Sequence, residues 1–343
     1  MLGAVSALGV MSIDMGSEWF KVAIVKPGVP MEIALNKESK RKTAVAVHFR
    51  NGERLVGGDA ADAGNKYPMN TYKYFTLLLG KSIDDPAVAD YRSKFPYHKI
   101  VATERNTVAF ETLETDENGE PVVYTVEALM AQVLSLARKI ASDYAEAPIA
   151  DAVICVPSTW GQTERLSMRV AAELAGIKLH QLMNDNTAVA LHYAVFHRKE
   201  IESKPLNIMF FDMGASSTTA TIVQYQKVKG KVENAPQVSV KGVGNAPVGG
   251  LQFDLTLRDL LVDKWEATKK TETDIKKQKT GRALAKLLVS ANKVKKVLSA
   301  NKETKAQVEN LIDEEDFKAP VSRDEFESRI QGNFLHLYII VSN

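Results

Sequence analysis

A short motif that occurs twice constrains the fold of this chain more than any other feature of the sequence. Asp-Met-Gly is found in MSIDMGS at residues 11–17 and again, 198 residues later, in MFFDMGA at 209–215. In both places a β-rich apolar run precedes the motif and another follows it, which predicts a strand–turn–strand unit. Three identical residues are weak evidence alone. The shared context predicts an internal duplication in which each copy opens one half of the chain.

The duplicated turns have the composition of an anion site. Small residues let backbone N–H groups approach a phosphate, and the hydroxyls of Ser17, Ser216 and Ser217 are further donors. Asp14 and Asp212 end the two strands and suit Mg²⁺ or its water ligands. One such turn alone is more typical of an ordinary β-hairpin. The pair favours a clamp that holds a polyphosphate between two lobes.

The rest of the chain alternates strands and helices, which predicts an α/β layer architecture. Helices are predicted over 125–144, with Thr125 as N-cap, over 162–175, and from a turn at 184–186 to 197. Further strands are predicted at 151–156 and 178–183. A polar segment with Pro205 marks a lobe boundary. We interpret the single cysteine, Cys155, as a small buried strand residue and not as a nucleophile.

Composition excludes several function classes. No run approaches the 18 apolar residues that indicate a spanning helix, and a formal net charge of +2 points to no particular partner. Residues 264–305 carry 13 Lys and Arg against four Asp and Glu, whereas 306–343 are acidic. Two solvated helix faces are the simplest interpretation, an anion site is the alternative, and nucleic acid is a weaker third because Trp265 alone interrupts the lysines. We predict no nucleic-acid partner.

The first ten residues, MLGAVSALGV, are small and apolar. Val5 and Ala7 are spaced as they would be before a signal-peptidase site, although a basic n-region and a long apolar core are missing. We interpret residues 1–10 as the remnant of a secretory signal peptide, with a frayed start of the chain as the alternative.

Several phrases of the sequence resemble a known family. IDMGSEW, VICVPSTWGQTER, MNDNTAVALHYAV, FFDMGASST and VGGLQFD are similar, in this order, to the ATPase domain of the 70-kDa heat-shock protein superfamily. KVAIVKPGVPMEIALNKESKRKT and KLLVSANKVKKVLSANKE resemble its branch of large, hypoxia up-regulated chaperones of the endoplasmic reticulum. The resemblance implies the actin-like ATPase fold, an α/β fold of duplicated ribonuclease-H-like subdomains with a nucleotide cleft. Lobe I is then expected at 11–197, with a smaller subdomain at about 46–114, lobe II at 198–330, and a non-family tail at 331–343.

The resemblance also implies roles for individual residues. It places ATP or ADP with Mg²⁺ in the cleft, where Asp14, Asp185 and Asp212 are the catalytic carboxylates and Asp14 and Asp212 hold Mg²⁺ through water. The nucleotide-binding residues it implies are Gly16, Ser17, Glu18, Gly214, Ala215, Ser216, Ser217, Gly250, Asn292, Lys295, Lys296 and Ser299. Pro157 and Arg165 match a proline switch and its arginine sensor. An N-cap of the following helix is an equally good interpretation of Asp185.

The sequence also departs from the family pattern. The catalytic lysine of the family falls at Thr76, with Lys73 three residues away, so the ammonium that stabilises the transferring phosphoryl group is missing. Glu18 replaces a threonine of the first turn, Asn186 follows Asp185 in place of proline, and Ala215 and Ser216 replace glycines of the second. These changes predict weak hydrolysis.

The resemblance fades after residue 327, and no GGxSRxP-type adenosine loop follows. We therefore expect a truncated isoform or an incomplete gene model, with an open second lobe that exposes strand edges and apolar surface. The implied function is the ATP-binding portion of a chaperone of the endoplasmic reticulum lumen, with weak ATP hydrolysis and a role in nucleotide exchange. Its implied partners are unfolded or secretory client proteins and a 70-kDa chaperone of the lumen. The alternatives are a fragment without a working nucleotide site and an actin-fold sugar kinase.

Overall fold

The structure is a computed structural model that describes residues 9–28, 32–227, 236–268, 281–312 and 314–331. Most of the predicted signal remnant and of the predicted tail, and residues 269–280 of the basic segment, lie outside the described residues.

The described residues of the first half of the chain form eleven strands and five α-helices. The elements up to the end of the smaller subdomain are β1 Val10–Met15, β2 Trp19–Val25, β3 Thr43–Ala44, β4 Ala46–Arg50, β5 Glu53–Val56, α1 Gly58–Lys66, β6 Thr71–Lys73, α2 Pro86–Lys94, β7 Lys99–Ala102, β8 Val108–Thr115 and β9 Pro121–Thr125. They are followed by α3 Val126–Ala145, β10 Asp151–Val156, α4 Gln162–Leu174, β11 Lys178–Asn184 and α5 Asp185–Phe196.

The main sheet of lobe I has the strand order β11-β10-β1-β2-β3. The central strand, β1, pairs in parallel with β10 and antiparallel with β2. Its residues alternate between buried Met11, Ile13 and Met15 on one face and Ser12 and Asp14 on the other. Since a strand presents alternate side chains to opposite faces, the same pairing that buries the methionines turns Asp14 away from the core.

Helix α3 packs the core against this sheet. Its stripe of Leu129, Val133 and Ile140 is buried, and the Thr125 hydroxyl accepts a hydrogen bond from the Ala128 N–H at 3.1 Å. The sequence prediction of an amphipathic helix capped by Thr125 is confirmed. Gly176, with a φ of 67°, follows the end of α4 and supplies the left-handed conformation that commonly ends a helix.

The smaller subdomain consists of two three-stranded sheets, β5-β4-β6 and β7-β8-β9. The expected boundary near residue 114 falls inside β8, whose pairing with β9 carries the second sheet to residue 125.

The second half begins with a three-stranded antiparallel sheet and continues into a helical part. Its elements are β12 Leu206–Met213, β13 Thr218–Lys227, β14 Pro236–Ala246, α6 Gly250–Thr268, α7 Gly281–Leu298, β15 Glu303–Ile312, β16 Glu315–Ser322 and α8 over 323–331. A separate apolar core joins α6 and α7 to the β15–β16 hairpin, and the buried Trp265 and Phe317 are in ring contact within it.

Strand β12 is an edge strand in the part of the chain that the structure describes, because β13 is its one neighbour there. Met209 and Phe211 on this strand are 47% and 46% exposed, and Ile222, Val240 and Val243 are exposed on the strands beside it. The exposed edge and apolar surface predicted for lobe II are therefore present.

The basic and acidic segments contact each other. Lys264 forms an ion pair with Glu325 at 2.7 Å, and the Lys286 ammonium donates to the carbonyls of Glu309 and Asn310. In the described residues the basic segment is mainly helical, whereas most of the acidic segment is the β15–β16 hairpin, so the interpretation as two helix faces is wrong for the acidic segment.

Among the described residues, none of the helices combines the length and the hydropathy that a membrane crossing requires.

His98 makes the stability of the smaller subdomain depend on pH. Its ring lies 4.8 Å from that of Tyr72, its side chain is almost fully buried, and burial lowers its pKa to about 4. Because the Tyr91 hydroxyl donates its proton to the Lys73 carbonyl, it accepts a hydrogen bond from the His98 Nδ1–H. The low pKa keeps the His98 ring neutral at neutral pH.

We expect the free energy of unfolding to fall as pH drops from about 6.5 to 4, because the unfolded chain then binds a proton that folded His98 rejects. The loss attributable to this residue approaches about 3 kcal/mol at pH 4. Urea unfolding of wild type and His98→Phe across this range measures it, with the exposed His192→Gln as control. An unchanged pH dependence in His98→Phe would contradict the assignment.

Candidate functional site

The two turns of the duplicated motif have the same backbone geometry. The Gly16 N–H donates to the Trp19 carbonyl at 3.1 Å, and the Gly214 N–H donates to the Ser217 carbonyl at 2.9 Å. Both residues of the second bond are displaced from those of the first by the same 198 positions. Asp14 lies opposite Lys21 across the first hairpin, as Asp212 lies opposite Thr219 across the second. The predicted duplication is therefore confirmed in the structure.

The two turns meet across the lobes. The hydroxyl oxygens of Ser17 and Ser216 lie 2.9 Å apart, within hydrogen-bond distance. Ser17 belongs to the first turn of lobe I and Ser216 to the corresponding turn of lobe II. The prediction that the turns face each other is confirmed, and the donors of both converge on one place.

The second turn is held from behind by the start of α6. The N–H groups of Gly250 and Leu251 donate to the carbonyls of Gly214 and Ala215 at 3.0 and 2.7 Å. A Cβ on Gly249 would lie 2.7 Å from the backbone of Ala215. This approach is closer than any side chain allows, so the glycine lets the helix start against the turn. Gly250, the predicted phosphate-contacting residue, donates its N–H to the turn in this arrangement.

Three carboxylates, Asp14, Asp185 and Asp212, gather beside the turns. Asp185 is the first residue of α5, and Asn184 occupies the N-cap position. The interpretation of Asp185 as the N-cap is therefore wrong, because the helix begins one residue earlier than the predicted turn at 184–186 allows. Among the described residues the buried Asp185 Oδ1 has no hydrogen-bond partner.

Burial and neighbouring carboxylates raise the pKa values of Asp185 and Asp212. Burial, Asp14 and Asp212 together raise the pKa of the Asp185 carboxyl to about 7, which Arg165 and Lys21 oppose. Burial and Asp14 likewise raise the pKa of Asp212. Like charges held close in a poorly solvated place favour protonation or a bound cation. This arrangement attracts a divalent ion.

The residues present fit Mg²⁺ held through its water molecules. A buried acceptor without a partner and a cluster of mutually repelling carboxylates both gain from a cation. Within the described ranges no three Asp, Glu, His or Cys side chains converge closely enough to bind a metal ion directly. Asp14 and Asp212 would therefore hold hydrated Mg²⁺ as outer ligands.

The predicted adenosine helix is α7, and two of its four predicted residues contact the first turn of α6, behind the second turn of the duplicated motif. Lys295 donates to the Gly250 carbonyl at 3.0 Å and to Asp254 Oδ2 at 2.8 Å, and the Asn292 amide donates to the same carboxylate oxygen. Lys296 and Ser299 lie exposed further along the helix, where the Ser299 hydroxyl donates to the Lys296 carbonyl.

Pro157 and Arg165 are connected through one residue. The Trp160 N–H donates to the Pro157 carbonyl, and the Trp160 carbonyl accepts from Arg165 Nε at 3.0 Å. The other end of the guanidinium donates to Asn184 Oδ1 at 2.7 Å. Arg165 thus joins the proline turn to the residue that precedes Asp185.

Thr76 carries no charge and is buried. It lies in the short 3₁₀ helix Phe75–Leu78, 6% exposed, and within the described chain its hydroxyl has no hydrogen-bond partner. Lys73 is on β6, where burial lowers the pKa of its ammonium and Glu18 and Asp62 oppose that effect. The backbone carbonyl of Glu18 accepts a hydrogen bond from the Val45 N–H at 2.9 Å.

Sequence reasoning missed two residues of this site. Lys21 forms an ion pair with Asp14, 2.6 Å from Nζ to Oδ2, and Asp254 anchors Asn292 and Lys295. The hairpin register around the first turn was the signal for Lys21, because a turn that pairs Met15 with Phe20 places residues 14 and 21 opposite each other. Asp254 ends the phrase VGGLQFD and stands four residues after Gly250.

Cys155 lies opposite Asp14 in the β1–β10 pairing and is buried. Burial and the charges of Asp185 and Asp14 raise the pKa of its thiol to about 11. A thiol with this pKa is not ionised at neutral pH, so the interpretation of Cys155 as a structural strand residue is confirmed.

Gly249→Ala tests the contact behind the second turn. The added methyl group overlaps the Ala215 backbone, so we expect the free energy of unfolding to fall by about 1–3 kcal/mol. Gly242→Ala on β14 is the matched control, because a Cβ there meets no atom within 4 Å among the described residues. Chemical denaturation of both variants measures the difference, and equal stabilities would mean that the approach is relaxed at no cost.

Comparisons with known proteins agree with this geometry. The family model for Hsp70 protein matches residues 10–338. Hypoxia up-regulated protein 1 of Danio rerio is 49% identical over 331 residues, which cover 96% of this chain and 33% of that protein. The protein of the same name from Xenopus laevis is 48% identical over 94% of this chain and 49% of its own length. The Homo sapiens protein is 47% identical over 95% of this chain and 32% of its own length. This chain therefore spans a third to a half of the length of these relatives, and it belongs to the Hsp70 family, whose ATPase domain has the actin-like fold.

Proposed function

We propose that this chain binds ATP with Mg²⁺ between its two duplicated turns and hydrolyses it slowly. The observation that carries the proposal is the 2.9 Å approach of Ser17 and Ser216, because it brings the donors of both lobes to one place. Membership of the Hsp70 family supports a nucleotide as the ligand.

The residues of the proposed site have separate roles in binding phosphate, Mg²⁺ and the attacking water. The hydroxyls of Ser17, Ser216 and Ser217 and the N–H groups of the turns that are not used within them donate to phosphate oxygens. Asp14 and Asp212 hold the water molecules of Mg²⁺, which neutralises phosphate charge. Asp185 accepts a hydrogen bond from the attacking water, and a pKa of about 7 keeps it partly ionised at neutral pH.

On the adenosine side, α7 gives the nucleotide a charged surface. Lys295 is fixed by Asp254 and Gly250, so it positions the turn more than it reaches a ligand, whereas Lys296 and Ser299 are exposed. We propose that Lys296 and Ser299 contact the adenosine and that Asn292 and Lys295 hold the second turn in place beside it.

The wider role that we propose is that of the ATP-binding portion of a chaperone of the endoplasmic reticulum lumen. Its partners would be unfolded or secretory proteins and a 70-kDa chaperone whose nucleotide it helps to exchange. Similarity to hypoxia up-regulated protein 1 over almost the whole chain supports this branch of the family. Because the chain covers a third to a half of those relatives, these activities belong to the proposal.

Two alternatives have less support. A fragment without a nucleotide site is not favoured, because both turns keep their geometry and meet. Membership of the Hsp70 family removes the reason for considering a sugar kinase.

Ligand-induced stabilisation tests the proposed binding. We expect Mg-ATP to raise the melting temperature, because a ligand at 100 times its Kd adds about 2.7 kcal/mol to the free energy of unfolding. Asp212→Asn should lose most of this increase while the free protein stays at least as stable, since one of three repelling charges is removed. Differential scanning fluorimetry measures both effects, with Asp90→Asn in an exposed ion pair as control. No shift in the folded wild type would refute binding.

Thr76→Lys tests the basis of slow hydrolysis. Restoring a well-placed cation at a phosphoryl-transfer site typically raises the rate about 100-fold. We expect far less here, because residue 76 is buried in a 3₁₀ helix and a lysine there must desolvate its ammonium. Single-turnover hydrolysis of labelled ATP by wild type, Thr76→Lys and Thr76→Val compares the three. A 100-fold gain in the lysine variant would show that the cation alone limits the wild type.

A further inference from the structure

Lys21 places an ammonium among the carboxylates of the site. It lies on β2 directly opposite Asp14, and its Nζ is 2.6 Å from Asp14 Oδ2. The two side chains are 45% and 51% exposed, so the pair stands at the surface of the cleft and not in the core. Cross-strand partners point to the same face of a sheet, so the strand pairing itself directs Lys21 toward the turns.

The ammonium acts on the whole cluster. Lys21 opposes the rise in the pKa of both Asp185 and Asp212, although neither forms an ion pair with it. The second copy of the hairpin has no equivalent charge, because Thr219 stands opposite Asp212 and accepts a hydrogen bond from Asn245. The cation is therefore a feature of the first copy alone.

Two other cations near the turns, Arg165 and Lys295, are already engaged. Arg165 donates to Trp160 and Asn184, and Lys295 donates to Asp254 and Gly250. Within the described residues, Lys21 is the one cation that forms an ion pair with Asp14, Asp185 or Asp212. An exposed pair of this kind is weak and exchanges its partner readily.

We propose that Lys21 is a built-in counter-ion of the nucleotide site: it binds the polyphosphate of a nucleoside triphosphate and competes with Mg²⁺ for Asp14. Without a ligand the ammonium neutralises Asp14. When a polyphosphate enters, Lys21 transfers its ion pair to a phosphate oxygen and leaves Asp14 to the hydrated metal ion. This inference rests on the proposed nucleotide site and adds to it a residue that binds the polyphosphate without Mg²⁺.

The test compares ATP affinity with and without the metal ion. Isothermal titration of ATP is carried out in excess EDTA and in millimolar Mg²⁺ for wild type, Lys21→Met and Lys21→Arg. Lys99→Met is the matched control, since Lys99 forms an ion pair of the same 2.6 Å length with Glu111 on the smaller subdomain. In EDTA we expect Lys21→Met to bind ATP roughly tenfold more weakly than wild type, and Lys21→Arg to stay close to wild type.

In saturating Mg²⁺ the difference should shrink to about threefold or less, because the metal ion then neutralises the phosphates. The Mg²⁺ concentration for half-maximal ATP binding should be lower in Lys21→Met, in which Asp14 has no competing partner. A purely structural role of Lys21 would weaken binding equally in both buffers and would leave the Mg²⁺ midpoint unchanged.

The outcomes separate the two proposals. If wild type binds ATP in Mg²⁺ and Lys21→Met matches it in both buffers, or loses affinity equally in both, the counter-ion role is refuted and the nucleotide site stands. If the folded wild type binds no ATP in either buffer, both proposals are refuted. Lys21→Gln provides a second neutral variant, and agreement with Lys21→Met shows that the loss of charge and not of packing causes the change.

Discussion

The site depends on one close backbone contact, that of Gly249 with Ala215. A side chain at residue 249 would separate the start of α6 from the second turn, and the hydrogen bonds from the Gly250 and Leu251 N–H groups would be lost. Those bonds fix the turn that carries Ser216, so the approach to Ser17 of the other lobe follows from them. Lys295 of α7 reinforces the same junction by donating to Gly250 and Asp254 of α6. The geometry of the second turn is thus set by packing within lobe II.

The carboxylates of the cleft, unlike the backbone hydrogen bonds of the second turn, interact unfavourably with each other. Asp185 and Asp212 stay close to Asp14 at a cost that appears as raised pKa values, and the buried Asp185 Oδ1 has no partner among the described residues. A fold selected for stability alone would replace such a cluster by apolar or paired groups. Repelling carboxylates beside a hydrogen-bonded backbone are typical of a binding site, because a bound ligand can reduce the charge repulsion that the fold maintains.

Much of the fold could be predicted because its signals are local. The duplicated motif, the stripe of α3, its Thr125 cap and the glycine after α4 all follow from residues within one or two turns of each other. The residues that were missed depend on register and on long-range packing. Lys21 faces Asp14 because of the hairpin register, and Asp185 begins α5 because Asn184 takes the cap position. The partnership of Lys295 with Asp254 joins residues 41 apart, and no local pattern reveals it.

The position of the cation matters as much as its presence. A lysine at residue 76 would belong to the smaller subdomain, whereas Lys21 is on β2, which is paired with β1 and β3 in the main sheet. The position of Lys21 opposite Asp14 is therefore set by strand pairing and does not depend on how the smaller subdomain packs. A charge fixed beside the carboxylates acts equally on the bound nucleotide and on the transition state, and uniform stabilisation of this kind favours binding over hydrolysis. Under the proposed function, a lysine at 21 in place of one at 76 would favour nucleotide binding over hydrolysis.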